Sequence, residues 1–259
     1  MVRFGPAGSD GLGTLDGIKK VKKSGLSAVE IEFTYGVKMT DEEAMAIGTL
    51  SKNLDVSLSV HAPYYVNLAS SEYKKVEDSK KRIISSCKKA HFLEAKYVVF
   101  HAGFYQDRTE KETYSRIEKH IADILEIVKQ NKWDIVLAPE TTGKKSQFGN
   151  IDELLKLSCE TKCGICVDFA HLLARDGAID YKKVFDKLAG IKHIHAHFSG
   201  IEYTDKGEKK HIGTSKEALM PFLKEIIRRN TDITIINESP TPLLDSKKAQ
   251  NIFYELVAK

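Results

Sequence analysis

Short apolar runs in this chain repeatedly end in an imidazole or a carboxylate. Val56-Ser57-Leu58-Ser59-Val60 leads into His61, Tyr97-Val98-Val99-Phe100 into His101, and Ile135-Val136-Leu137-Ala138-Pro139 into Glu140. Farther along, Gly164-Ile165-Cys166-Val167 leads into Asp168, Ile194-His195-Ala196 into His197, and Ile233-Thr234-Ile235-Ile236-Asn237 into Glu238. Imidazole and carboxylate are donor types that suit zinc, manganese and iron. One ion takes three or four of them, so the set predicts at least two ions. Glu140, midway in the series, is the expected bridge between them and the expected catalytic carboxylate. Asp168-Phe169-Ala170-His171 adds a donor three residues after the first, and Glu208-Lys209-Lys210-His211 repeats that acid-x-x-His spacing. His171 and His211, joined by Glu208, are candidates for a third ion.

Taken singly, each residue has a plain structural reading: a strand-end Asp or Glu often caps the next helix. Their common position at the ends of strands is what argues for one site. His91 and His120 fall within helical patterns and read as structural. His193 and His195 alternate with His197 and read as facing the barrel interior or wall. Cys163 and Cys166 have CxxC spacing, but Cys166 leads straight into an apolar strand and reads as a small buried hydrophobe.

The elements that must position these residues alternate along the whole chain. Residues 28–33 alternate with period two, as a strand does. Thr40-Asp41-Glu42-Glu43 opens a helix with a capping-box pattern. Ile117, Ile121, Ile124, Leu125 and Val128 mark one face of a helix over 113–129. Further helices are expected over 15–23, 72–93, from 150, over 181–188, from 214 to 229 and over 245–257. Strand and helix alternate through eight units in a chain of 259 residues. That predicts an α/β fold: a (β/α)8 TIM barrel forming a single domain over 1–259, with its site where the strands end. A doubly wound open sheet is the alternative, but it would bring fewer strand ends together.

The net charge of +4 is compatible with a nucleic-acid or sugar-phosphate ligand. No apolar run reaches the roughly 18 residues of a membrane span, and the first residues lack a signal pattern. A cytoplasmic monomer with no membrane partner is therefore expected.

At these residues the chain resembles the endonuclease IV family of zinc-dependent apurinic/apyrimidinic (AP) endonucleases, within the xylose isomerase-like barrels. His61-Ala62-Pro63-Tyr64-Tyr65-Val66-Asn67-Leu68 is similar to that family's segment after its third strand, and His101-Ala102-Gly103 to its His-Pro-Gly. Glu140-Thr141-Thr142-Gly143 and Cys166-Val167-Asp168-Phe169-Ala170-His171 resemble two further motifs. The resemblance implies that one zinc takes His61, His101 and Glu140. A second shares Glu140 and adds Asp168, His197 and Glu238, and a third takes His171 and residues after the seventh strand. It also implies hydrolysis of damaged double-stranded DNA 5′ to an abasic site. Manganese could replace zinc. Tyr64, Tyr65, Asn67, Lys144, Lys145, Lys209 and Lys210 are then the expected DNA contacts.

Some segments depart from the family pattern. Glu208-Lys209-Lys210-His211 stands where the family has Asp-Arg-His. Thr34-Tyr35-Gly36-Val37-Lys38 lacks the Arg that enters DNA, and Ser199-Gly200 replaces an Asn-Asp. A sugar isomerase or epimerase on the same barrel is the alternative function. It would use Glu140, Asp168, His197 and Glu238 as metal ligands or proton carriers, and Glu30 and Glu32 as substrate contacts. A barrel that binds nucleic acid without turnover is a third reading.

Overall fold

The computed structural model describes residues 1–258. Strands β1 (Val2–Pro6), β2 (Ala28–Glu32), β3 (Ser57–His61), β4 (Tyr97–Phe100), β5 (Val136–Pro139), β6 (Cys166–Asp168), β7 (Ile194–Phe198) and β10 (Ile233–Asn237) are all parallel. Hydrogen bonding orders them β1-β10-β7-β6 and β2-β3-β4-β5. Parallel bridges between Ala7 and Glu30 and between Glu140 and Cys166 join the two halves. The sheet therefore closes on itself, a TIM barrel rather than an open doubly wound sheet. An antiparallel hairpin, β8 (Gly200–Thr204) and β9 (Gly207–Ile212), projects after β7.

The surrounding helices are α1 (Thr14–Lys23), α2 (Asp41–Asn53), α3 (Tyr73–Phe92), α4 (Glu110–Gln130), α5 (Ile151–Thr161), α6 (Phe169–Asp176), α7 (Tyr181–Lys187), α8 (Lys216–Arg229) and α9 (Pro242–Val257). Thr40 and Glu43 form the expected capping box, and Thr109–Glu112 and Asn150–Glu153 form two more. The stripe of α4 is buried at Ile117, Ile121, Ile124 and Val128.

Three elements differ from the sequence expectation. Helix α6 was not expected; it begins directly after Asp168, whose side chain caps it by accepting from His171 N at 2.7 Å. Helix α9 starts before residue 245, because Pro242 suits a first helical turn. The acid-x-x-His segment, for which no strand was expected, lies in strand β9, paired with β8 through a bulge between Glu202 and Tyr203 that leaves Lys209 out of the register.

Between barrel and helices lies a continuous apolar core. At its centre Phe222 packs against Phe169 and Phe198, each with ring centroids 4.6 Å away. The barrel interior is different. Small apolar groups (Ala7, Ala28 and Ile236; Val99, Ala138 and Cys166) form separate clusters there, and Glu30, Ser59 and His195 are buried as well. Strand side chains alternate between the two sides. Residues two apart, such as Ser59 and His61 or His195 and His197, therefore lie on the same side. The last of each series stands at the carboxyl end of its strand. Among the described residues no helix is long and apolar enough to cross a membrane.

Closure brings β1 hard against β2: a Cβ added at Gly5 would stand 1.8 Å from the carbonyl oxygen of Ala28. Gly5→Ala is expected to destabilise the barrel by at least about 3 kcal/mol, since neither strand can yield without disturbing its neighbours. Denaturant unfolding of the two proteins measures the difference.

Candidate metal centre

Each of the six strand-end donors sits at the carboxyl end of a barrel strand or immediately beyond it, and the barrel brings them together. His61 Nε2 and His101 Nε2 lie 3.2 and 3.1 Å from Oε2 of Glu140. The other oxygen, Oε1, faces the opposite way: 3.3 Å from His197 Nδ1 and 3.1 Å from His171 Nδ1. Glu238 Oε1 approaches His197 Nδ1 to 3.3 Å. Donor atoms lie within 4.8 Å of one another in each of four sets: His61, His101 and Glu140; Glu140, Asp168, His197 and Glu238; Asp168, His171 and His211; and, deeper in the barrel, Cys166, His195 and His197. Glu140 belongs to two sets and Asp168 to two.

The third set depends on both unexpected elements. His171 is three residues into the turn that Asp168 caps, so the two side chains share a helix face. The hairpin carries His211 across the mouth until its Nε2 is 3.3 Å from His171 Nε2. Glu208 comes with it, 3.5 Å from His171 and 3.7 Å from His211. Gly143 leaves the room: a Cβ there would lie 2.6 Å from Glu208 Cβ and 3.0 Å from His171 Cδ2.

Asp168 and His197 are fully buried, and Glu140, His171 and His61 nearly so. Burial opposes the charge on each, yet the carboxylates and imidazoles compensate one another. Glu140 is held well below the ordinary carboxylate range by His101 and His197. Glu238 is lowered to about 2, chiefly by His197. His61 rises to about 9 despite its burial, through Glu140. His171 and His197 are raised too, His171 by Asp168 and Glu140. Asp168 is raised, because burial is joined by repulsion from Glu238 and Glu140, and Glu32 is raised likewise by burial and Glu238.

The site fits divalent cations. Glu140 Oε1, Asp168 Oδ2 and His197 Nδ1 are buried without hydrogen-bond partners. Such groups are costly unless something pairs with them. They belong to the mixed carboxylate-imidazole set that zinc or manganese accepts. A cavity of about 440 Å³ opens over the site, between Glu32 and Tyr64 on one side and Glu208 and His211 on the other. A larger groove of about 810 Å³ lies outside the barrel between α4 and α5. Lys187 and Asp152 pair there, far from the strand ends, and we assign it no chemistry.

The expected DNA contacts divide. Tyr64 and Tyr65 are more than half exposed beside the cavity, and the Tyr64 ring lies 5.7 Å from that of His61. Lys144 and Lys145 are exposed on the loop after β5. Lys209 and Lys210 are exposed but pair with Glu202 across the hairpin. Asn67 departs from expectation: its Oδ1 accepts from Ala69 N at 3.1 Å and lies 3.4 Å from Phe104 N, so it shapes the loop rather than facing a ligand. Glu30, expected as a substrate contact, is completely buried beneath the site. Glu32 does face the cavity. Ser59 was not read as part of the site and His195 was left facing the barrel interior or wall, although period two places each just inside a donor, His61 and His197. Cys166 is free and buried.

Comparison with known proteins sets this geometry in context. An uncharacterized protein of Methanocaldococcus jannaschii is 36% identical, over 99% of this chain and 98% of its own. A probable endonuclease 4 of Mycoplasmopsis pulmonis is 31% identical over 61% of this chain, which spans 57% of that protein. Endonuclease IV of Thermus thermophilus superposes with a TM-score of 0.75 at 21% identity, over 99% of both chains. A D-tagatose 3-epimerase-like protein does so with the same score and identity, over 99% of this chain and 98% of its own. The two superpositions share only the fold. The model of the xylose isomerase-like TIM barrel family matches residues 18–256, and the chain belongs to that family.

Proposed function

We propose that this protein is a metal-dependent phosphodiesterase that cleaves damaged double-stranded DNA 5′ to an abasic site. One observation carries the reading: three donor sets overlap in one cavity through Glu140 and Asp168. Chemistry at a single ion needs only the set of Glu140, Asp168, His197 and Glu238. His61, His101, His171 and His211 are surplus to that, whereas hydrolysis of a phosphodiester uses several adjacent cations.

Bound there, zinc or manganese ions supply a hydroxide near neutral pH and neutralise charge on the phosphoryl and leaving oxygens. The residues do the rest. Glu140, whose two oxygens face different donors, would be shared by two ions and would hold them close together. His171, His211 and Glu208 form the third set, with Glu208 as its local carboxylate. Lys144 and Lys145 contact backbone phosphates, and Tyr64 or Tyr65 stacks where a base is missing. The attacking oxygen bonds to phosphorus as the bond to the leaving sugar oxygen breaks, and that oxygen takes a proton from water and departs as a hydroxyl.

A sugar isomerase or epimerase is the second reading, favoured by Glu32. An exposed carboxylate in the cavity repels phosphate but accepts hydroxyl groups, and the loop after β2 carries no Arg. Metal content separates the two: two or three ions per chain for the nuclease, one for the isomerase.

The metal-loaded protein is expected to nick a duplex containing an abasic site, and Glu140→Gln to lower the rate by more than about 100-fold, beyond what losing an outer-shell partner costs. No nicking by fully loaded protein rejects the nuclease. A second expectation concerns pH. Metal must displace the proton of His61, which binds with a pKa of about 9, so apparent affinity rises with pH up to that value. In metal-free protein the same proton stabilises the fold. That contribution is complete below the ordinary imidazole value of 6.5 and is lost as pH rises through about 9. The metal-free protein should therefore melt at lower temperature at pH 9 than at pH 6.5, while metal binding tightens over the same interval. Chelator competition and thermal melts across that range measure both.

A further inference from the structure

The imidazoles of the site do not all present the same nitrogen. His61 Nδ1 lies 2.8 Å from the carbonyl of Ala62, His171 Nδ1 2.9 Å from the carbonyl of Thr141, and His211 Nδ1 2.6 Å from Ser199 Oγ. His61 and His211 have a neutral partner behind them and turn Nε2 towards the other donors, whereas His171 Nδ1 also lies 3.1 Å from Glu140 Oε1 and 3.4 Å from Asp168 Oδ2. His197 is reversed relative to His61 and His211. Its Nδ1 faces Glu140 and Glu238, and its Nε2 lies 2.9 Å from Oε1 of Glu30, outside hydrogen-bond geometry. Of these four, His197 is the one with a sealed carboxylate, Glu30, against the nitrogen that faces away from the donor sets.

Glu30 is itself held from two sides. Its Oε2 accepts from Ser59 Oγ at 2.7 Å and lies 3.0 Å from His195 Nε2. The His195 ring lies flat against Tyr97, with centroids 4.7 Å apart and planes 11° apart. Glu30 is 0% exposed, His195 1% and Ser59 3%. No substrate can reach this layer. A carboxylate sealed in a barrel interior is costly unless positive charge compensates it, and the donor set on the far side of the His197 ring is where a cation would sit.

We propose that Glu30 is a positioning residue for that cation. It keeps the His197 proton on Nε2, which leaves the Nδ1 lone pair directed at the ion, and it makes the imidazole a stronger donor. Ser59 and His195 fix the carboxylate in place. The inference rests on the reading that Glu140, Asp168, His197 and Glu238 hold an ion.

The test titrates zinc or manganese into metal-free wild type, Glu30→Gln and Ser59→Ala, with a competing chelator to measure each affinity. Nitrogen-15 spectra of the imidazoles report the tautomer. Glu30→Gln is expected to weaken one ion by about 10- to 100-fold, in the range of outer-shell carboxylates, and to leave the others unchanged. With metal bound, wild type should show His197 coordinated through Nδ1 and protonated at Nε2, and Glu30→Gln should reach that signature only at the higher metal concentration its weakened site needs. Ser59→Ala keeps the charge but loosens its anchor, so it should weaken the same ion by a smaller factor. Wild-type affinity for every ion in a folded Glu30→Gln protein overturns the proposal. Should that variant not fold, unchanged affinity in Ser59→Ala overturns it. A wild type that binds no ion at the four-residue set refutes the metal reading itself, and this inference with it.

Discussion

Glu140 is almost wholly buried and its two oxygens face different imidazoles, Oε2 towards His61 and His101, Oε1 towards His171 and His197. Asp168 and Glu238 stand within the same few ångströms. Carboxylates this close cannot all stay ionised in a low-dielectric site without positive charge between them. In the metal-free protein, protons on imidazoles supply that charge, which is why His61, His171 and His197 are raised while Glu140 and Glu238 are lowered. The mouth of the barrel is thus built around a demand for cations. The rest of the structure serves to hold the carboxylates together against their repulsion.

Barrel closure does the holding. The bridge between Glu140 and Cys166 is one of the two that close the sheet, so the carboxylate common to two donor sets lies on the seam itself. Register then stacks the interior in layers: His197 pairs with Asp168, and His195 with Cys166 one step lower. That step separates roles. His197 joins the donor sets beneath the cavity, while His195, Ser59 and Glu30 form a sealed polar layer behind it. The small side chains of Ala28, Ala138 and Val99 leave space for this layer inside an otherwise apolar fold.

Outside the donor sets the chain has its own character. The hairpin swings His211 and Glu208 over the cavity, and Gly143 makes that approach sterically possible. Lys209 and Lys210 are paired with Glu202 across the hairpin, so Lys144 and Lys145 are better placed than they for a phosphate backbone. Tyr64 and Tyr65 offer the aromatic surface on the opposite rim, and Glu32 places a negative charge between them and the floor. A polyanion must avoid Glu32 to reach the donor sets. A sugar need not, and that contrast separates the two functional readings.

Much of this was legible in the sequence. A strand ending in His, Asp or Glu is a local pattern, and alternation through eight units predicts a closed parallel barrel, because both follow from side-chain periodicity along the chain. The donors therefore emerged by residue number, and with them Glu140 as the shared carboxylate. Other features depend on contacts between distant segments, which periodicity does not encode. Helix α6 follows β6 without a loop because Asp168 acts as its cap, and β9 is a strand because β8 lies beside it. Asn67 turned inward because the amides of Ala69 and Phe104 were in reach. Which nitrogen His197 presents was decided only in the tertiary structure. It depends on a carboxylate 167 residues earlier in the chain, which barrel closure brings to 2.9 Å.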